Sequence, residues 1–393
     1  VSAAFDHRLP EVLAEFQAVV RRFAREEVAP VIGDLYERGE FPYGLVAKMA
    51  AMGLFGLPFP EEYGGMGAGP LALPVALEEL ARVDSSVAVT LEAAISLSAM
   101  LIFRFGTEDQ RQRYLPPLAR GERLAAFALT EPGGGSDAAA LRTVARREGD
   151  EYVLSGTKAF ITNSGTDITS LLIVAAVTGS QAGGRSEISS FIVPADTPGL
   201  LVGKKYSKVG WLASDTHELA FADCRVPAEN LLGAEGRGYA QFLEVLDEGR
   251  IGVAAIAVGL AQGCVDESVR YCSEREAFGH RIGEYQAIRF KIADMEARAH
   301  TARLAYLHAA SKHAYGEPYK KEAAIAKLVA SDAAVLNARE ATQIFGGYGF
   351  VNDTPVARFW RDAKILEIGE GTSEVLRMLI ARELGVGNPG AER

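Results

Sequence analysis

The hydrophobic period of this chain changes twice, and those changes decide the fold class. Over residues 11–120 the apolar residues fall at helical spacing. Val12, Phe16, Val19, Val20 and Phe23 make one face, and Ala-rich helical sequence resumes from about Leu71 after a break at Pro58, Pro60 and Gly64-Gly65-Met66-Gly67. At about Leu124 the texture becomes short runs rich in β-branched and aromatic residues: Ala125–Thr130, Tyr152–Ser155, Leu171–Val177, Ile188–Val193 and His217–Phe221. Gly, Pro, Asn and Asp punctuate these runs, the pattern of an antiparallel β domain. From about Tyr239 the helical period returns. Tyr285, Ile288, Ile292, Met295, Ala299, Ala302 and Tyr306 alternate steps of three and four, a bundle-type seam. Lys320–Gln343 reads as a further helix, with Ile325, Leu328, Val329 and Leu336 inward and Lys321, Lys327 and Arg339 outward. The expected architecture is α+β and multidomain: a helical domain over 1–123, an antiparallel β-barrel-like domain over 124–234, and a four-helix bundle over 235–393. Nothing alternates as βαβ, which disfavours a Rossmann nucleotide site.

Composition excludes several functions. At 393 residues the chain is long enough for two or three domains, and 48% hydrophobic with 23% charged residues is a globular profile. A net charge of −10 with no Lys/Arg block argues against nucleic-acid and anionic-membrane surfaces. Cys224, Cys264 and Cys272 form no CxxC and read as reduced structural thiols, and the six histidines form no metal motif. Residues 1–10 lack the apolar core of a signal peptide, and no apolar run is expected to span a bilayer. These readings together point to a cytoplasmic protein, or a matrix protein if the chain is eukaryotic and processed.

Five segments carry candidate chemistry. Glu370 stands between Gly369 and Gly371 before an apolar helical tail. Flanking glycines let a substrate approach both the carboxylate and the adjacent amide, which suits removal of a carbon-bound proton beside an oxyanion donor. A helix-entry carboxylate is the plain alternative. Phe127–Asp137 runs a strand into a Pro-Gly turn bracketed by Thr130 and Ser136, whose amides and hydroxyls suit a heteroaromatic edge or a phosphate; a decorated hairpin turn reads the same way. Lys158–Asn163 places Phe160 and Thr162 on one strand face, an aromatic plane beside a hydroxyl, although a core Phe is the commoner use. Arg275–Gln286 offers a guanidinium fork for a pyrophosphate and an amide for a sugar or phosphate. Gln343–Phe350 is a helix stopped by glycines that permit close backbone approach.

Together these segments resemble the acyl-CoA dehydrogenase family over nearly the whole chain. The matching elements, in order, are Leu-Thr-Glu-Pro with Gly-Ser-Asp, Ile-Thr-Asn, Arg-x-x-Phe-Gly-x-x-Ile-x-x-x-Gln, Gln-x-x-Gly-Gly and Glu-Gly-Thr, with Lys208-Val-Gly210 through Pro227 as a further match. The resemblance implies a homotetramer with FAD between the β domain and the bundle. Phe127, Ala128, Leu129, Thr130, Gly135 and Ser136 would line the flavin and pyrophosphate, with Phe160, Ile161 and Thr162 at the reactive edge. Arg275, Phe278, Gln286 and Gln343, Ile344, Phe345, Gly346 and Gly347 would reach the FAD of a neighbouring subunit, and Thr372, Ser373 and Glu374 would complete its contacts. Ser136, Asp247, Glu248, Gly249, Arg250, Gly369 and Gly371 would touch the acyl-CoA. Glu370 would take the α-proton to give a trans-2-enoyl-CoA, and an electron-transfer flavoprotein would collect the electrons.

Three departures from the family pattern qualify this. Phe160 stands where Trp is common. Gly249 stands where one branch carries a relocated Glu, which favours Glu370 as the base. Gly369 replaces a frequent Tyr, which opens space for a short branched acyl group. The competing readings are an oxidase or monooxygenase on the same scaffold, and a non-catalytic acyl-CoA-binding oligomer.

Overall fold

The computed structural model describes residues 9–180 and 186–387. The reading of residues 1–8 at the N-terminus, His7 included, therefore lies outside the described residues. Helix α1 (Glu11–Phe23) passes through a π-type turn (Ala24–Val28) into α2 (Ala29–Arg38), which Gly39 closes in the left-handed region. The expected apolar face is only partly in the core: Val20 and Phe23 are buried and Phe16 packs against them in part, whereas Val12 and Val19 are exposed. After α3 (Tyr43–Ala51) and α4 (Ala72–Ala81), the Asp84 carboxylate caps α5 (Ser85–Glu92) by accepting from the amides of Ser86 and Val87. A second π-type segment, Ala93–Ala99, carries α5 into α6 (Met100–Phe105), and α7 (Glu108–Ala119) starts from a Thr107–Gln110 capping box.

The middle of the chain is one sheet built from β1 (Leu124–Ala128), β2 (Val144–Glu148), β3 (Glu151–Thr162), β4 (Thr169–Ser180), β5 (Ser186–Pro194), β6 (Leu200–Lys205), β7 (Thr216–Pro227) and β8 (Leu231–Leu232). Its order is β6-β7-β3-β2-β4-β5-β8, with β1 on β4. Most pairs are antiparallel as expected, but β1 and β2 both meet β4 in parallel. The β2–β3 hairpin lies between β1 and β4 in sequence and supplies the crossover a parallel pair needs. Leu171–Ala176 of β4 are buried without alternation, because both faces are covered. Leu172 and Val174 face Leu154, Phe191 and Leu219 inside the sheet, while Leu171 and Ile173 face the helical core.

The last third packs α8 (Gly238–Glu274), α9 (Gln286–Ala314) and α10 (Lys320–Phe345) side by side, with a hairpin of β9 (Glu276–Ala277) and β10 (His280–Arg281) after α8; α11 (Pro355–Ala363) and α12 (Ser373–Glu383) follow. The α9 seam is as expected: Met295, Ala299, Ala302 and Tyr306 are buried. The inward face of α10 differs. Its alanines (Ala323, Ala326, Ala330, Ala334, Ala338) are buried, Leu336 is exposed, and Lys327 is fully buried. Small side chains allow close helix approach, so the alanine stripe and not the branched aliphatic set marks the contact. A second expectation also changes. Ser85–Phe105 and Gly238–Glu274 are long and apolar enough to cross a membrane, but their apolar windows are 94% and 89% buried inside the protein. A helix at the centre of several layers is apolar all round for that reason.

Candidate active site

The segment after α11 is a 3₁₀ turn (Lys364–Glu367) followed by a tight reversal in which the amides of Ile368 and Gly369 both donate to the Ile365 carbonyl. Glu370 follows at φ 53° and Gly371 at φ 103°. A left-handed glutamate costs on the order of 1–3 kcal/mol and persists only where its surroundings hold it. Two buried side chains of α10 do so: Lys327 Nζ donates to the Gly371 carbonyl at 2.7 Å, and Ser331 Oγ donates to the Leu366 carbonyl at 2.7 Å. Thr372 then caps α12 by accepting from the Val375 amide.

This reversal aims the Glu370 carboxylate at α8. A Cβ at Gly249 would fall inside the contact radius of Glu370 Oε2 and 2.9 Å from Leu97 Cδ2, so the glycine is there to receive the carboxylate. Arg250 lies beside Gly371 and is ion-paired with Asp247, while the neighbouring Glu248 is engaged by Arg104 at 2.5 Å. Glu370 as a residue is half-buried, but its Oε2 is enclosed without a partner from a standard donor. Burial pushes its pKa up to about 7; the neighbouring Glu92 carboxyl and the charges of Lys327 and Arg250 work in the opposite direction. Among the described residues no hydrogen bond engages the Glu370 backbone N–H, which leaves it available to an incoming oxygen. A base near neutrality beside a free amide donor can take a proton from carbon and stabilise the resulting oxyanion.

A second group lies on the ends of β1 and β3. Ala159 donates to the Thr130 carbonyl, and Lys158 Nζ donates to the Leu129 carbonyl at 3.0 Å and to Glu131 at 2.8 Å. Glu131 also accepts from the amides of Arg142 and Thr143. Burial acts to raise its pKa, but these donors outweigh it and hold the group below the ordinary carboxylate range. The Leu-Thr-Glu-Pro turn is thus pinned from beneath, and Gly133, Gly135 and Ser136 stay at the surface. Phe127 packs on Phe242, with ring centres 4.6 Å apart. Phe160 is 64% exposed at φ 60° and stacks on Tyr206 at 5.0 Å, two residues from Thr162. At the end of β3, Asn163 donates to the Thr90 carbonyl of α5 at 3.0 Å and ties this group to the helix that carries Glu92. Phe160, Asn163, Phe278 and Glu370 are four of the six non-glycine residues at positive φ among the described residues, so backbone strain concentrates in the motifs named from sequence.

A third group lies elsewhere. Arg275, Phe278 and Gln286 are exposed on the β9–β10 hairpin and the start of α9, and Phe278 is 95% exposed. Gln343, Gly346 and Gly347 are exposed at the end of α10 beside them, where Phe345 stacks on Tyr271 at 4.1 Å. Twenty-six residues of α8 separate Gly249 from Arg275, about 39 Å at the helical rise. One chain therefore does not bring this group to Glu370.

The chain matches the N-terminal, middle and C-terminal domain models of acyl-CoA dehydrogenases over residues 10–122, 126–224 and 236–385. It is 47% identical over 366 residues to a probable acyl-CoA dehydrogenase of Bacillus subtilis, covering 93% of this chain and 96% of that one. Among solved structures, butyryl-CoA dehydrogenase from Megasphaera elsdenii superposes with a TM-score of 0.93 at 42% identity, covering 97% of this chain and 100% of that one. A chain from work described as "Electron transferring flavoprotein of Acidaminococcus fermentans: Towards a mechanism of flavin-based electron bifurcation" superposes equally well, at 0.93 with 44% identity, over 97% of this chain and 99% of that one.

The chain belongs to the acyl-CoA dehydrogenase family. It is an FAD-dependent oxidoreductase, and the residues fit that group. Phe160 offers a bare ring face, the Pro132–Gly135 turn offers open backbone, and Ser373 Oγ is buried without a partner at the N-terminus of α12, where the helix favours negative charge. Two side chains of this acyl-CoA dehydrogenase support its site from outside every motif, Glu92 and Lys327, while Glu131 and Lys158 lie inside the Phe127–Asp137 and Lys158–Asn163 segments without a role read from sequence. Glu92 had a signal, because it is the only charged residue in the apolar run from Ser85 to Phe103. Lys327 had a weaker one, a cation on the alanine face of α10.

Proposed function

We propose that Glu370 is the catalytic base of an α,β-dehydrogenation of a short acyl-CoA thioester. The observation that carries this reading is the Glu370 carboxylate seated against Gly249 with its own amide unengaged. The thioester carbonyl accepts from the Glu370 N–H, Glu370 takes the α-proton, and Lys327 and Arg250 offset the charge around the loop. Bound FAD supplies the acceptor for the β-hydrogen and two electrons; the product is the trans-2-enoyl-CoA. Phe127–Ser136 and Phe160–Thr162 hold the flavin from the β side, Thr372–Glu374 from α12, and Asp247, Arg250, Gly369 and Gly371 border the thioester. Glu248, bound to Arg104, acts behind that border.

The 39 Å between Gly249 and Arg275 favours a homotetramer in which the exposed Arg275, Phe278, Gln286, Gln343, Gly346 and Gly347 complete a neighbour's FAD site, with the buried Ile344 and Phe345 holding the end of α10 beneath them. The likeness to a butyryl-CoA dehydrogenase supports a short acyl chain, and the likeness to a chain from electron-transferring flavoprotein work supports an electron-transfer flavoprotein as acceptor. Buried, unpaired cysteines accord with a cytoplasmic or matrix setting. A Cβ at Gly369 would meet only the Ile365 carbonyl, at 3.5 Å, so the glycine leaves room for a methyl branch. The test is kcat/KM for butyryl-, isobutyryl-, 2-methylbutyryl-, isovaleryl- and octanoyl-CoA in wild type and Gly369→Tyr. Short substrates should lead, with branched ones lost selectively in the variant. A preference for octanoyl-CoA, or equal losses on every substrate, would refute the short-chain or the branch reading respectively.

A further inference from the structure

Glu92 is the last residue of α5, buried to 0% exposure, and it enters the π-type segment Ala93–Ala99. Both of its carboxyl oxygens are enclosed and meet no protein N–H or O–H within ordinary geometry, and the same holds for Glu370 Oε2. The two carboxyl groups are near enough for each to shift the titration of the other. Two glycines one turn apart on α8 make the room: Gly249 faces Glu370 Oε2, and a Cβ at Gly252 would lie 3.1 Å from Glu92 Cγ and 3.4 Å from its Oε1. Two carboxylates cannot bond each other without a proton, and an isolated buried carboxylate with no donor is too costly to persist.

We propose that Glu92 is kept as a neutral carboxylic acid that donates a hydrogen bond to the Glu370 carboxylate, making it a positioning residue for the base. This rests on Glu370 being the base. With Glu370 ionised the pair holds one proton, on Glu92; after the α-proton moves from carbon to Glu370 the pair holds two, and Glu92 keeps its own throughout. Its surroundings agree in direction, since burial, the first cause, and the charge of Glu370 both drive the Glu92 pKa well above the ordinary carboxylate range. The charged groups on neighbouring elements leave Glu92 no cation of its own. Lys327 of α10 donates to Gly371, Arg250 is held by Asp247, and Glu248 is held by Arg104 of α6. On α4, Glu78 and Glu79 are engaged by Arg303 and Arg21, and Arg358 of α11 is held by Asp84.

The test uses the FAD-loaded enzyme. The infrared difference between wild type and Glu92→Gln at pH 8 should contain the C=O stretch of a protonated carboxyl, shifted in deuterium oxide. Glu92→Leu, which removes the donor, should move the acidic limb of kcat/KM for butyryl-CoA about one unit to higher pH. Glu92→Gln, which keeps an N–H donor, should leave that limb near wild type. No carboxylic-acid band in the difference spectrum, or an unmoved limb in Glu92→Leu, would overturn the proposal. If Glu370→Gln turned over normally the reading of Glu370 as base would fail, and the infrared comparison would still report where the proton sits.

Discussion

A glutamate is an ordinary residue, and what makes Glu370 unusual is where its backbone is put. Left-handed φ, a glycine after it and a lysine clamp on that glycine's carbonyl place its carboxylate in an enclosed space. Enclosure disfavours the charged form, which is how a carboxylate becomes a base matched to neutral pH. The base acts ionised, so activity should be lost as pH falls through its raised pKa. The free-enzyme limb of kcat/KM is expected near pH 7, well above the ordinary glutamate value of about 4.3. A pH–rate profile with butyryl-CoA checks this, and a limb at pH 4–5 would contradict the burial argument. The motif around Glu370 was legible because glycine and carboxylate chemistry is local. Glu92 and Lys327 were not, since their roles depend on which residues of distant segments the fold brings against them.

At the scale of elements, α8 does two jobs with one face. Its glycines at 249 and 252 accept the two glutamates, and the stretch 249–265 is a core strut buried on every side. Alanine is a better helix former than glycine by roughly 1 kcal/mol, which offsets part of the crowding its methyl group meets at Leu97, so Gly249→Ala should leave Tm nearly unchanged. The same methyl group should displace the Glu370 carboxylate and lower kcat by at least about tenfold, a loss of roughly 1.4 kcal/mol. Tm and kcat measured on one preparation decide it: unchanged turnover would show that the carboxylate does not need the space. Element types were readable because the period of apolar residues switches clearly at about 124 and 239. The inner face of α10 was not, because alanine and leucine count alike in a period while only alanine permits the close approach found there. The parallel pairing of β1 and β2 with β4 was hidden for a related reason: a strand's composition reports its burial, not the direction of its neighbour.

The whole molecule explains how an FAD enzyme works without a Rossmann unit. The residues proposed to face the flavin lie on the sheet and at α12, whereas the guanidinium fork of Arg275 stands exposed at the far end of α8. If Arg275 reaches the FAD of a neighbouring copy in the proposed tetramer, Arg275→Ala should weaken FAD retention and self-association together. Flavin absorbance and light scattering on the same sample read both; tight FAD in an intact tetramer would count against sharing. The central claim is that Glu370 takes the α-proton, and anaerobic mixing of enzyme with butyryl-CoA tests it most directly. Wild type should bleach its flavin absorbance promptly. Glu370→Gln should retain FAD and bind substrate yet bleach on the order of a hundred- to ten-thousand-fold more slowly, whereas bleaching at the wild-type rate in that variant would contradict the account.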